Sequence, residues 1–500
     1  MLFGSRLLIA IALLWASQAI AQETHDHPAP EKLGQVSFST SCEPAVQPEF
    51  DRAVALLHSF AYSAAREAFQ DVAARDPQCA MAHWGIAMTY YHHLWEPAIP
   101  GDGAAKGQQE IESAQKIGAA TERERGFIGA AGVVFQNAST VPYATRALKY
   151  EAAMAALAAQ SKDVEVQVFY ALALLANAPP TDKNHVRQKK AAAILEPLYA
   201  TNPDHPGIPH YLIHAYDNVE LAQKGLPAAR VYAQIAPSAP HALHMPSHIF
   251  TRLGLWDDSI ASNIASSEAA RKTGDVGEQL HAMDYLVYAY LQSGRDADAA
   301  SVIAQLKAMP DLDTGSFKVG YASTAMPIRY IVERGQWAEA AQITPPPPPA
   351  PPHVIAIAVW ARGLGLARGG HPADAAGTVQ ELRRLQEKLH ESGNEYWATQ
   401  VGIMRREVMA WMAQAQGKQQ DAVALLREAA DEEDSVEKLP VTPGPIIPAR
   451  ELLGDLLLEQ GHAEQAAKEF QTSLASAPGR RGSLQGAAES ADRLRASKTN

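Results

Sequence analysis

Apolar residues recur every three or four positions through most of this chain, the period of a helix that buries one face. A short phrase punctuates them. Glycine is followed five residues later by alanine or serine at Gly254…Ser259, Gly294…Ala299, Gly335…Ala340, Gly370…Ala375, Gly417…Ala422 and Gly461…Ala466, with helix-periodic sequence on both sides. These glycines stand 40, 41, 35, 47 and 44 residues apart, so the unit repeats with inserted turns. Glycine accepts the positive φ of a tight bend between antiparallel helices, and the small residue after it lets the second helix close on the first. The pattern predicts an all-α chain of helix-turn-helix units. Stacking of such units lets 500 residues fold without a single large core.

The last unit carries Leu453, Gly454, Leu457, Ala466, Phe470, Leu474 and Pro478 in one register. An early unit offers Ala65, Phe69 and Pro77 before the segment Ala80–Met88, and a middle one offers Ala228, Tyr232, Ile235 and Pro240. In these positions the chain resembles the tetratricopeptide repeat (TPR) family, over residues 46–100 and 190–490. The resemblance implies a right-handed α-solenoid of TPR-like helix-turn-helix repeats. It further implies that the first helix of each pair lines a concave groove, which would hold a protein, peptide or small ligand.

The organisation expected is repeats at 46–100, an irregular helical region at 101–190, histidine-rich repeats at 191–310, and further repeats at 311–344 and 353–438. The last repeat spans 439–483, ahead of a polar, fraying tail at 484–500. Pro345–Pro349 with Pro351 and Pro352 cannot be helical and predict a polyproline loop at 345–352. A second proline stretch, Pro440–Pro448, leads into the last repeat.

The N-terminus changes the setting. Arg6 precedes the apolar run Leu7–Trp15, and Ala19-Ile20-Ala21 follows as a small-x-small cleavage site. That is the layout of a signal peptide at 1–21, with an extension at 22–45 opening the mature chain. No Cys sits at the cleavage point and no later stretch reads as a membrane span. A periplasmic or secreted protein is the expectation. There the only two cysteines, Cys42 and Cys79, favour a disulfide, the alternative being two separate small core residues. The net charge of −12 argues against a nucleic-acid or anionic-membrane partner.

Histidine supplies the candidate chemistry. Seven of the 18 lie between residues 205 and 281, in the phrases His205-Pro-Gly-Ile-Pro-His210-Tyr-Leu-Ile-His214 and His241-Ala-Leu-His244-Met-Pro-Ser-His248, and at His281. His210 and His214 are four apart, on one helix face, and His244 and His248 share the spacing. Both pairs are offset by 34 residues, the length of one plain TPR unit, so they take equivalent places on consecutive inner helices. His58 falls late in the first inner helix. Such a set suits a divalent transition metal, zinc or copper, with His210, His214, His244, His248 and His281 as ligands. Asp217, Asp284 or Glu220 would serve as ligand or tautomer-fixing acceptor, and Met245 would add a thioether for Cu(I). The plainer alternative is a groove lined by histidines that bond partner peptides. Pro246 also disfavours helical geometry at Met245, which would put His244 in a lead-in turn away from His248.

Other signals are fewer. His92-His93 beside Tyr90, Tyr91 and Trp95 read as core packing or as an aromatic groove wall, and His25 and His27 as loose metal binders near the mature N-terminus. No phosphate loop, serine-hydrolase elbow or haem motif is present, so nucleotide use and serine-hydrolase chemistry have little sequence support. The leading reading is an exported interaction scaffold, and the rival is a metal-binding protein or metal-dependent enzyme using residues 205–284.

Overall fold

A computed structural model describes residues 31–94, 99 and 101–499. The signal peptide and extension up to residue 30, with His25 and His27, lie outside the described residues, as does Trp95. The described chain holds twenty-four α-helices, one short 3-10 turn and no strand. Most of the longer helices pack on their neighbour in sequence. The inner helices also pack on one another, Val276–Gln292 on Phe317–Val332 and Pro352–Arg368 on Glu395–Ala415. This is an all-α solenoid of TPR-like helix pairs.

The repeated phrase does what its chemistry implies. All six phrase glycines have φ between +64° and +86°, and the small residue after each is fully buried where the paired helices cross. A second repetition supports the first. Phe69 and Phe470 each cover a glycine sixteen positions later, Gly85 and Gly486, where a Cβ would come within 2.4 Å of the ring. Helix approach this close is open only to glycine.

Two sequence expectations are overturned here. Residues 101–190 are not irregular: Gly103–Ile117 packs on Glu122–Phe135, and Tyr143–Gln160 on Val164–Ala176, as helix pairs like the rest. Their turns lack the glycine phrase, and Glu122–Phe135 begins instead on a capping box from Thr121 and Glu124. The polar tail is not frayed either. Residues Arg481–Thr499 form a helix whose Ser483 and Ser490 are buried against Ala463–Ser476 and its neighbours. The expected polyproline loop is present but ends one residue early, because Pro352 opens the helix Pro352–Arg368.

The inner face is not an open groove. The segment 436–448 crosses it, and its backbone finds partners on inner helices and on the loop at Pro180. The Glu437 amide donates to the Pro180 carbonyl at 2.7 Å. Tyr285 Oη lies 3.2 and 3.0 Å from the carbonyls of Pro440 and Thr442, and Arg329 Nη1 donates to that of Pro445 at 2.9 Å. Further on, Trp256 Nε1 donates to the Gly479 carbonyl at 3.2 Å, and Arg481 pairs with Asp296 at 2.6 Å. The array therefore closes on itself. At the N-terminal end Cys42 and Cys79 are joined as a disulfide, with Cα atoms 4.7 Å apart.

Arg480 is the buried link in this closure, bonding Glu451 at 2.8 Å and Glu333 at 3.0 Å with no solvent exposure. Arg480→Met strands two carboxylates in the interior, and urea unfolding should show a loss of about 3–5 kcal/mol. Lys468→Met, which breaks the exposed pair with Glu464, should cost no more than about 1 kcal/mol.

Candidate metal centre

The helix Gly207–Tyr216 carries His210 and His214 one turn apart, and their Nε2 atoms lie 3.2 Å from each other. His241, from the next inner helix Pro240–His244, brings its Nε2 to 3.2 Å from the same His210 Nε2. His244 and His248 form a second set, Nε2 to Nε2 at 3.0 Å. His281, from Val276–Gln292, completes it with its ring centre 4.2 Å from that of His244. In each triad the candidate ligand atoms all lie within 4.8 Å of one another. The triads adjoin: the ring centres of His214 and His248 are 6.1 Å apart, and those of His241 and His244 6.2 Å.

Pro246 does not separate His244 from His248. Met245 adopts αR angles (φ −52°, ψ −36°), so Pro240–His244 runs directly into Pro246–Arg252. Proline interrupts the bonding ladder there without turning the chain, since its missing N–H falls in a first helical turn. The i, i+4 face survives.

The outer nitrogens fix which atoms face inward. His210 Nδ1 lies 2.6 Å from the carbonyl of His58, which can only accept, so the proton sits on Nδ1. The amide of Asn263 donates through Nδ2 to the Ser259 carbonyl at 2.8 Å, so its Oδ1 accepts from His244 Nδ1 at 2.7 Å. The carboxylates of Asp217 and Glu278 accept from His248 Nδ1 at 2.9 Å and His241 Nδ1 at 3.1 Å. Histidine ligands are commonly oriented by outer bonds of this kind. Burial, followed by the neighbouring histidines, holds His210, His214, His244 and His281 well below the usual imidazole range. Burial takes His248 to about 4 against the pull of Asp217. Asp217 itself stays ionised: burial favours its neutral form, but Lys438 and Arg252 hold its pKa well below the usual carboxylate value.

An imidazole that is neutral and protonated on Nδ1 presents a lone pair at Nε2, as His210, His244 and His248 do. Imidazole nitrogens only 3.0–3.2 Å apart need a proton or a cation between them. A shared proton serves one contact, whereas His210 Nε2 has two such contacts at once. A tetrahedral ion with Zn–N bonds of about 2.0–2.1 Å sets its nitrogens about 3.3 Å apart, matching the observed separations.

Several expected roles fall elsewhere. The six triad histidines are 0–9% exposed, not displayed on an open groove. His241 belongs with the ligand candidates. Its position three residues before His244 hid it, because it lies outside the i, i+4 pairs. Asp217 is an outer partner of His248. Asp284 lies against Arg329 at 3.7 Å instead, and Glu220 pairs with Lys189 at the surface. Met245 is buried core. His58 and His205 both donate through Nε2 to Glu165, at 2.8 and 2.9 Å, while the Gly207 amide donates to His205 Nδ1. That set satisfies itself and serves the centre only through the His58 carbonyl. Of the aromatic cluster, His93 is buried against Tyr91 and Tyr150, and His92 stacks on Tyr62. His93 is core packing, whereas His92 is only half-buried.

No protein-family model matches the chain, and no curated protein matches it. Solved structures with a similar course include a human IFIT1 dimer with m7Gppp-AAAA, at 11% identity over 79% of this chain and 89% of that one, with a TM-score of 0.34. Yeast Tom70 matches at 10% identity over 91% of this chain and 96% of that one, with a TM-score of 0.32. The TPR domain of P58(IPK) matches at 10% identity over 91% of this chain and all of that one, with a TM-score of 0.23. At such TM-scores these structures say nothing about the site, which stands on its own geometry.

Proposed function

We propose that this is an exported metalloprotein that holds two transition-metal ions, zinc or copper, side by side. His210, His214 and His241 bind one, and His244, His248 and His281 the other. The observation that carries the reading is His210 Nε2, which sits 3.2 Å from two further imidazole nitrogens while its own Nδ1 proton is committed to a backbone carbonyl. Three protein nitrogens leave a fourth tetrahedral position open, as in catalytic rather than structural sites. Metal-assisted activation of a small molecule such as water is the chemistry this arrangement supports. The signal-peptide layout and the Cys42–Cys79 bond support an oxidising, extracytoplasmic location.

Protein interaction is the second reading, favoured by the stacked-repeat architecture, since solenoids offer extended surfaces. Segment 436–448 covers the inner face around the histidines, so a partner would meet the outer faces and edges. Among the described residues no helix is long and apolar enough to cross a membrane.

Untagged protein stripped of metal and titrated with Zn(II) or Cu(II) should take up two equivalents by calorimetry and elemental analysis. His210→Ala and His248→Ala should each remove one equivalent, and the double variant both. Wild-type protein that binds neither ion would sink the proposal. Acid should destabilise the metal-free protein in a defined window. His248 is held to about 4 in the fold against about 6.5 when unfolded, so the unfolded chain binds more protons between these values. Its contribution is complete above about 6.5 and is lost as the pH falls toward about 4. Asp217 and Glu278, also held low, add losses only below about 4. Melting curves at pH 7.5, 6 and 5 should show this fall. Zinc should raise the melting point most at pH 7.5, because protons compete for the same nitrogens.

A further inference from the structure

Inside the closed solenoid lies a cavity of about 520 Å³, separate from the histidine triads. That is the size of a small-molecule site. Trp360, Tyr396, Trp397 and Tyr321 give it aromatic walls, and it extends to Val219, which is 46% exposed.

Its charges are unevenly matched. The cations that line it are already paired: Lys183 with Glu437 at 2.6 Å, Arg252 and Lys438 with Asp217 at 2.8 and 3.0 Å, and Arg450 with Asp434 at 2.8 Å. Two lining carboxyls, Glu407 and Glu433, have no Lys, Arg or His nitrogen at ion-pair distance among the described residues. Glu407 is 2% exposed, and its bond is to Trp360 Nε1 at 2.6 Å. Glu433 accepts the Ala449 amide at 2.8 Å. Desolvation raises both, Glu407 well above the usual carboxylate range and Glu433, which is half-buried in the wall, to about 7. A buried carboxyl is stabilised by a cation or keeps its proton. Aromatic faces around two such groups favour the cation, because ring quadrupoles attract positive charge and exclude water.

We propose that this cavity binds an organic cation, an ammonium group on an apolar or aromatic body, with the ammonium between Glu407 and Glu433 and the body against Trp360 and Trp397. The site does not depend on the metal reading, and it is complete in metal-free protein.

The test is calorimetric titration of metal-free full-length protein with 2-phenylethylammonium, beside the neutral 3-phenylpropan-1-ol and the anion 3-phenylpropionate. The cation should bind one per chain, with both analogues weaker by about tenfold or more. Glu407→Gln and Glu433→Gln keep shape and hydrogen bonding but not charge, and each should weaken the cation by about tenfold while leaving the neutral analogue unchanged. Circular dichroism and melting curves check that the variants fold. A cation that fails to bind, an alcohol that binds as well, or folded Gln variants with full affinity would overturn the proposal. In that case the two groups are simply protonated acids in the wall.

Discussion

A carboxylate removed from water must be surrounded by donors, and Asp217 meets this condition with partners from three places at once. It accepts from His248 Nδ1 at 2.9 Å, from Arg252 at 2.8 Å and from Lys438 at 3.0 Å, and it is almost wholly buried. His248 belongs to the histidine centre, Arg252 to the end of the same helix, and Lys438 to the segment that closes the inner face. Removing any partner would leave a buried charge short of compensation, so centre and closure depend on each other. Lys438 shows the balance: burial lowers its ammonium to about 8, against the pull of Asp217.

Closure also explains how a solenoid acquires a dry interior. An open array of helix pairs would leave its inner helices wet, and exposed imidazoles titrate near neutral pH. Here the segment 436–448 fills the space between distant repeats, accepting from Tyr285 and Arg329 through its backbone carbonyls and from Tyr321 through the Thr442 hydroxyl. Desolvation then holds His210, His214, His244, His248 and His281 toward the neutral form, in which a ring nitrogen keeps its lone pair. The cavity beside Trp360 is bounded by the same segment through Thr442 and Ile446. One irregular stretch of chain thus delimits both polar sites.

How much of this was legible in sequence can be argued residue by residue. The six turn glycines were legible because positive φ at a bend is a local demand, and the buried residue after each follows from helix geometry. The pairs His210/His214 and His244/His248 were legible for the same reason: three and four residues apart is one helix face. Met245 was misjudged because the preference before proline is only a tendency, and tight packing on both sides holds αR there. Helices in 101–190 and 481–499 were underrated because they begin or end without the glycine phrase.

The sequence by itself determined most of the helices, their glycine turns and the 34-residue offset, all set by neighbours along the chain. Only the tertiary structure decided that His241 joins His210 and His214, that Asp217 rather than Asp284 or Glu220 steadies His248, and that the expected groove is filled. Those outcomes depend on the curvature of the stack and on where a segment some two hundred residues away comes to rest. Small angles between successive repeats accumulate over the array, and no local pattern records their sum.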